Sequence, residues 1–542
     1  MQGTPRPFRR DLLCIILVLL VGLAVKSWLF LRTEVLARDG VGYIRFAARL
    51  HQEPWPNVLR SEQQHPLYPI AVAVTHGLFQ AADVVADSPI GWQSSAQAVS
   101  LICGLLLAVP MFFLARRLFG SRVAFWATLT FQVLPVPAQI TTDTLSEGLF
   151  LLASASALLA AVIGLERRYT WAFAITGIFG GLAYLTRPEG AILIALAAVM
   201  ILWLQISPTQ RMPWRKALAC WGGLSVAILV ALPYWLTIGG LSNKPASREF
   251  FKPLQESLTQ HISASPPGGS LLLASRFTDG VDGRRLDDVG PWYALGEVLD
   301  EVCKAFNYAV WIPVVLGLPW YARRFASSPG VLLLTLLIVV QFLILWLLAY
   351  RVRYISERHT LLIVLVGCIL SMATLFHWAE RLPTWGRALP FIRRFTWADR
   401  FLEPNRMRIG MEAAFVVAVA LGLTQTLKIP HQHRVGHKLA GLWLQQHMQP
   451  FDKLVDPYGW ASFYAGRFVP PSQSQIRSDS TKKPRRFVVV DPADQDLHRR
   501  RLIDEELAGI KPSELVFAWP GTDAAHLLIH AGVKQQRNPS QP

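Results

Sequence analysis

The sequence predicts a mostly helical bundle that crosses a membrane about eleven times, followed by a small soluble α/β domain. Three observations carry that prediction. The 542 residues are 52% hydrophobic and 16% charged, too apolar for an ordinary soluble multidomain chain. Apolar runs long enough to cross roughly 30 Å of hydrocarbon recur through residues 1–428. Beyond residue 429 they stop, and short helix-like and strand-like segments alternate.

The first run, residues 12–31, follows a basic flank of Arg6, Arg9 and Arg10. It reads as a retained span, because no small-x-small cleavage site precedes Arg38 and Lys26 sits near its outer end. Further runs fall at about 96–115, 123–140, 147–165, 170–186, 190–206, 217–238, 306–321, 330–349, 359–377 and 409–427. Whether LYPIAVAVTHGLFQAA (67–82) also crosses fixes the sidedness of everything downstream. If it stays outside, loops 115–122, 166–169, 207–216, 321–329 and 377–408 share a side with the N-terminal flank. Basic residues are then about twice as dense on that side as on the other, which makes it cytoplasmic. The segment is therefore expected to be a juxtamembrane or re-entrant helix within a first outer loop of about 32–95.

A second outer loop, about 239–305, mixes the turn signals SPPGG and TDGVDGRR with LGEVLDEVCKAF (295–306), which has helical spacing. It reads as an ordered lid. In the region 429–542, KLAGLWLQQHM and DLHRRRLIDEELAGI read as helices, RFVVVD and ELVFAW as strands, and 470–484 as a polar connection. The net charge of +17 does not point to nucleic acid, because the basic residues lie in short loops with no arginine-aromatic ladder; membrane lipid is the expected partner. Cys14, Cys103, Cys220, Cys303 and Cys368 are scattered and imply neither disulfides nor a zinc site.

The candidate chemistry lies on the outer side. Asp39 opens RDGVGYIRFAARL, where Tyr43, Ile44, Phe46, Ala47 and Leu50 share a face suited to the membrane interface. A carboxylate there is placed to take a proton from a hydroxyl acceptor, or simply caps a helix. His65 and Tyr68 in HPLYP are expected near the same acid, or in a rigid turn. Asp143 and Glu147, at i and i+4, open a span. With Asp39 they form a candidate oxygen-rich set for a divalent metal ion. Arg187 and Glu189 in LTRPEG interrupt two apolar runs and either pair with each other or present Arg187 to a phosphate. Arg353, Tyr354 and Arg358 belong to RYISERH, where arginine forks suit phosphate oxygens.

Taken together over roughly positions 10–430, these residues resemble the GT-C membrane glycosyltransferases (family 39), the group of protein O-mannosyltransferases and lipid A aminoarabinose transferases. The matching features are the acid at Asp39, HPLYP, the acid at Asp143, LTRPEG and RYISERH before a late span. The resemblance implies a polyprenyl-phosphate sugar donor, inverting transfer to a hydroxyl of a lipid, glycan or protein acceptor, and a site on the periplasmic or extracytoplasmic face of a bacterial inner membrane. It makes Asp39 the general base and Asp143 a second acid. Arg187, Arg353, Tyr354 and Arg358 become donor-phosphate ligands, and His65, Tyr68, Glu147 and Glu189 supporting groups. Gly40 departs from the Asp-Glu pair of many O-mannosyltransferases, which favours a glycan or lipid acceptor. The competing reading is a multi-pass transporter or lipid flippase, which predicts mid-span charges and repeated halves; neither pattern is visible.

Overall fold

The computed structural model describes residues 6–207, 211–244, 290–352, 355–388, 404–469, 484–494, 496–510, 513–521 and 526–533. In chain order the membrane-domain helices are α1 (Arg6–Arg32), α2 (Arg38–Gln52), α3 (Trp55–Ser61), α4 (Leu67–Ala81), α5 (Pro89–Leu106), α6 (Ala108–Phe119), α7 (Ser121–Val133), α8 (Pro135–Ile140), α9 (Glu147–Arg167) and α10 (Thr170–Thr186). They continue with α11 (Ala191–Ile206), α12 (Trp214–Leu224), α13 (Val226–Ile238), α14 (Pro291–Ala305), α15 (Ile312–Arg324), α16 (Pro329–Val352), α17 (Leu361–Ala388) and α18 (Pro404–Thr426).

Among the described residues, eight helices are long and apolar enough to cross a membrane, and Leu67–Ala81 and Thr170–Thr186 are shorter apolar helices. The chain is a multi-pass integral membrane protein. Two expected spans differ in detail. The run 123–140 breaks at Leu134, whose φ of −62° and ψ of 138° are the extended backbone that a following proline imposes. The run 306–321 becomes the 13-residue α15, with Pro319 inside it. Small residues let the helices approach closely: a Cβ at Gly177 of α10 would lie 2.8 Å from the Leu224 carbonyl of α12.

Charge sorts the two ends of the bundle. At one end Arg116 pairs with Asp11 at 2.6 Å, Arg117 with Glu166 at 2.7 Å and Arg122 with Glu412 at 3.6 Å. Arg324 lies over the Trp320 ring, which stacks on His377. The N-terminal flank and the basic loops thus gather together. α1, at 27 residues, rises about 40 Å before delivering the chain to Asp39 at the opposite end.

At that opposite end a second hydrophobic core forms, and it is not confined to the membrane domain. Val35, Phe46, Tyr68, Val72 and Trp92 of the first outer loop are buried together with Trp460, Phe463, Tyr464, Phe487 and Ile529 of the C-terminal region. α4 therefore packs at this end of the bundle against α2 and α5. The C-terminal region contains α19 (Val435–His447), α20 (Trp460–Tyr464) and α21 (Leu497–Ala508) around a sheet. The strands are β1 (Lys453–Val455), β2 (Arg485–Val490), β3 (Glu514–Trp519) and β4 (Leu527–Val533), in the order β1-β2-β4-β3. β1 runs parallel to β2, and the other two pairings are antiparallel. β2, β3 and both long helices fall where the sequence places them. β1 and β4 have no counterpart in that reading: KLV is very short, and LLIHAGV carries an imidazole and a glycine that blur the strand pattern.

Candidate active site

Thr33–Ala37 carries the chain from α1 into α2, whose first turn holds Asp39. The apolar face of α2 is not laid in the membrane interface as expected. It is buried against α4, α5 and α20, because the C-terminal domain supplies a partner surface. Gly40 is required by a close approach: a Cβ there would overlap Oγ1 of Thr144, so a side chain beside Asp39 has no room. Gly40→Ala should lower stability by about 1–3 kcal/mol through overpacking, read as a fall in Tm of the detergent-purified protein; an unchanged Tm would contradict this packing.

Asp39 and Asp143 line one cleft of about 700 Å³, together with Arg38, Arg358, His431 and Arg434. α14, one root of the expected lid, closes one wall with Glu297, Asp300, Glu301 and Lys304. Arg358, 319 residues beyond Asp39, forms an ion pair with it through Nη1 and Oδ2. Burial, the largest influence, pushes the Asp39 carboxyl up, but the Arg358 guanidinium together with Lys244 and Arg38 more than offsets this and holds it below the usual carboxylate range. Asp39 is thus an anion at neutral pH.

Asp143 lies in the turn between α8 and α9. Its Oδ1 accepts the N–H of Thr144 at 2.7 Å and that of Ala37 at 3.2 Å, and its Oδ2 lies 2.9 Å from Nε2 of His431. Burial raises its pKa, while His431 and these amides more than offset the rise. Beneath the turn, the buried Lys26 of α1 donates to Oγ1 of Thr141. A lysine at that depth has a partner.

Glu147, Arg187 and Glu189 lie deeper. Arg187 is 6% exposed, pairs with Glu147 and with Glu189 at 3.1 Å, and sits over the Phe150 ring. It does not line the cleft that holds Asp39, since two carboxylates already claim its guanidinium. Glu147, Glu189, Gln341, His359 and Arg358 surround a small inner cavity, so Arg358 borders both spaces. Oε2 of Glu147, Oε2 of Glu189 and Oε1 of Gln341 are buried acceptors with no hydrogen-bond partner among the described residues.

His65 and Tyr68 are not brought to Asp39. His65 Nδ1–H donates to the Tyr184 carbonyl at 2.6 Å, leaving Nε2 to accept from Ser242 Oγ at 3.0 Å. Burial drives its pKa down to about 3, so it stays neutral. Tyr68 OH donates to the Ala96 carbonyl at 3.1 Å and lies 2.9 Å from Ser100 Oγ. HPLYP is a packed turn opening α4, and His65 with Asn243 pins the start of the second outer loop. This places Lys244 close enough to Asp39 and Glu189 to act on both charges. Of the RYISERH residues, Arg358 reaches the cleft; Arg353 and Tyr354 lie outside the described residues, as does 245–289 of the lid.

The carboxylate set Asp39, Asp143 and Glu147 does not fit a resident cation. Arg358, His431 and Arg187 occupy the three acids separately, and no group of three His, Cys, Asp or Glu converges among the described residues. His431, Arg434, Lys244 and the acids of α14 complete the picture without having been singled out in the sequence. The run IPHQHR immediately after the last span is the one sequence signal that could have pointed to the first two.

Residues 92–236 match the family described as dolichyl-phosphate-mannose-protein mannosyltransferase. No curated protein matches the chain by sequence. Among solved structures, ArnT from Cupriavidus metallidurans in the apo state superposes with a TM-score of 0.58 at 16% identity, covering 96% of this chain and 98% of that one. The same protein bound to undecaprenyl phosphate gives 0.56 at 16% identity over the same shares. The Archaeoglobus fulgidus oligosaccharyltransferase in complex with Zn and sulfate gives 0.55 at 14% identity, covering 88% of this chain and 68% of that one.

Proposed function

We propose that this chain, which has the fold of the GT-C membrane glycosyltransferases, is a glycosyltransferase by activity. It moves a sugar from a polyprenyl-phosphate donor to a hydroxyl of a lipid, glycan or protein acceptor, with inversion, on the extracytoplasmic face of the membrane. The observation that carries this reading is the meeting of Asp39 and Arg358 at the lip of one cleft, a base and a phosphate ligand from opposite parts of the chain. Support also comes from the mannosyltransferase-family match, from the undecaprenyl phosphate bound by ArnT, and from the basic loops gathered at the far end of the bundle.

In the resting protein Arg358 and Asp39 neutralise each other. A donor phosphate entering the cleft competes for the guanidinium, and each Asp39 oxygen it releases becomes available to an acceptor hydroxyl. Asp39 takes the hydroxyl proton as the acceptor oxygen attacks the anomeric carbon from the face opposite the phosphate. The bond from that carbon to the phosphate oxygen breaks with its electron pair, and polyprenyl phosphate leaves with one more negative charge than the donor carried. The fixed guanidinium of Arg358, with Arg38 in the same cleft, stabilises that growing charge more than the ground state. Oε2 of Glu147, Oε2 of Glu189 and Oε1 of Gln341 border Arg358 from the inner side as acceptors without a hydrogen-bond partner among the described residues.

Because no step runs through a cation, EDTA is expected to leave the transfer rate unchanged, while a loss restored by Zn²⁺ or Mn²⁺ would restore the metal reading. The reading as a whole is tested by incubating the purified protein in detergent with a panel of radiolabelled polyprenyl-phosphate sugars and membrane extract. Label should pass to a component of the extract. If every donor fails, the transporter reading takes first place.

A further inference from the structure

The junction between the last span and the C-terminal domain reaches directly into the cleft. His431, at a φ of +57° that non-glycine residues seldom adopt, begins a 3₁₀ turn running to Arg434. Its Nε2 is 2.9 Å from Oδ2 of Asp143, and its Nδ1 is 3.1 Å from Nη1 of Arg434. Arginine can only donate, so Nδ1 must accept. The proton of the neutral ring therefore sits on Nε2 and is donated to Asp143. Arg434 is buried and lies over the Trp460 ring, 4.6 Å from its centroid, which ties the turn to the domain.

The chain of hydrogen bonds does not end at Asp143. The other oxygen of that carboxylate accepts the Ala37 amide, two residues before Asp39. The same domain grips the segment from its other side. Trp460 Nε1 donates to the Leu36 carbonyl at 3.0 Å, Tyr464 OH bonds the backbone of Glu34 and Leu36 at 3.2 and 3.3 Å, and Arg38 donates to the Pro457 carbonyl at 2.7 Å. Residues 33–37 have no helix or sheet of their own, so these contacts help to hold the approach to Asp39.

We propose that His431 and Arg434 are positioning residues for sugar transfer: they fix Asp143, and through the Ala37 amide they hold the turn that presents Asp39, making the C-terminal domain a working part of the catalytic cleft. This rests on the transferase reading above. A base displaced by about 1 Å loses on the order of 10²-fold in rate. His431→Ala should therefore lower kcat by about 10- to 100-fold with little change in KM for the donor. His431→Gln should recover most of that loss, because its amide donates to Asp143 and its carbonyl accepts from Arg434.

If His431 itself carried the proton, the Gln and Ala variants would be equally impaired, and that result overturns the proposal. So does an Ala variant with wild-type kcat. A readout independent of activity separates this proposal from the transferase reading. Hydrogen–deuterium exchange at the Ala37 amide, in the full-length protein in detergent, should be slow in the wild type and in His431→Gln and faster in His431→Ala. Exchange unaltered in the Ala variant overturns the linkage even if transfer is observed. A wild type that transfers no sugar but shows the expected exchange pattern leaves the linkage standing and removes the transferase reading.

Discussion

Asp39→Asn is expected to cripple sugar transfer, because the proposed reaction uses Asp39 as its base. The substitution keeps the size of the side chain but removes the anion that accepts the hydroxyl proton, so kcat should fall by at least about 10²- to 10⁴-fold, the usual contribution of a general base. Donor binding should survive, because the phosphate ligand Arg358 remains and loses its competitor. The pattern to look for is collapsed kcat with an unchanged or lower KM, in protein whose Tm matches the wild type. Transfer at the wild-type rate by folded Asp39→Asn would remove Asp39 from the mechanism.

The second large effect belongs to Arg358, which acts on both partners of the reaction. In the proposed reaction its guanidinium meets the leaving phosphate, and loss of one such preorganised charge should cost about 10²- to 10³-fold in kcat. It also depresses the pKa of Asp39 against the opposing pull of burial. In the wild type, Asp39 is ionised above its lowered pKa, and base function is lost only as pH falls through that value, below the ordinary carboxylate range. With Arg358→Ala the guanidinium is gone and burial remains, so the pKa rises and the acidic limb of the pH–rate profile moves to higher pH. An acidic limb that stays in place would show that Arg358 does not control Asp39.

Most of the architecture was legible in the sequence because a membrane span needs a long apolar run and its loops carry a charge asymmetry; both are local properties. The grouping of 67–82 with the Asp39 end of the bundle followed from charge counting alone and is matched by the packing of α4 on α2 and α5. That Asp39 and Arg358 lie at one end of the bundle was legible as well, since each adjoins the same end of a span, but their ion pair was not. What was not legible depends on which buried partner claims a group. Arg187 looked like a phosphate ligand, but Glu147, 40 residues earlier, and Glu189 take its charge. His65 reads in the sequence as a supporting group near Asp39 or part of a rigid turn, and a backbone carbonyl and Ser242 occupy both ring nitrogens. His431 reaches Asp143 across 288 residues, a contact set by how the C-terminal domain docks and visible in no local pattern. The face of α2 met the same fate, since its apolar stripe is equally suited to lipid or to a protein partner.

The central claim is that the cleft breaks a bond of a lipid-linked sugar and does not merely move the lipid. In proteoliposomes containing the wild-type protein, a radiolabelled undecaprenyl-phosphate sugar and an acceptor extract, free undecaprenyl phosphate and labelled product should be measured together. The account predicts that they appear in equal amounts and that neither appears with Asp39→Asn. Donor that crosses to the other leaflet intact, with no undecaprenyl phosphate released, would contradict it.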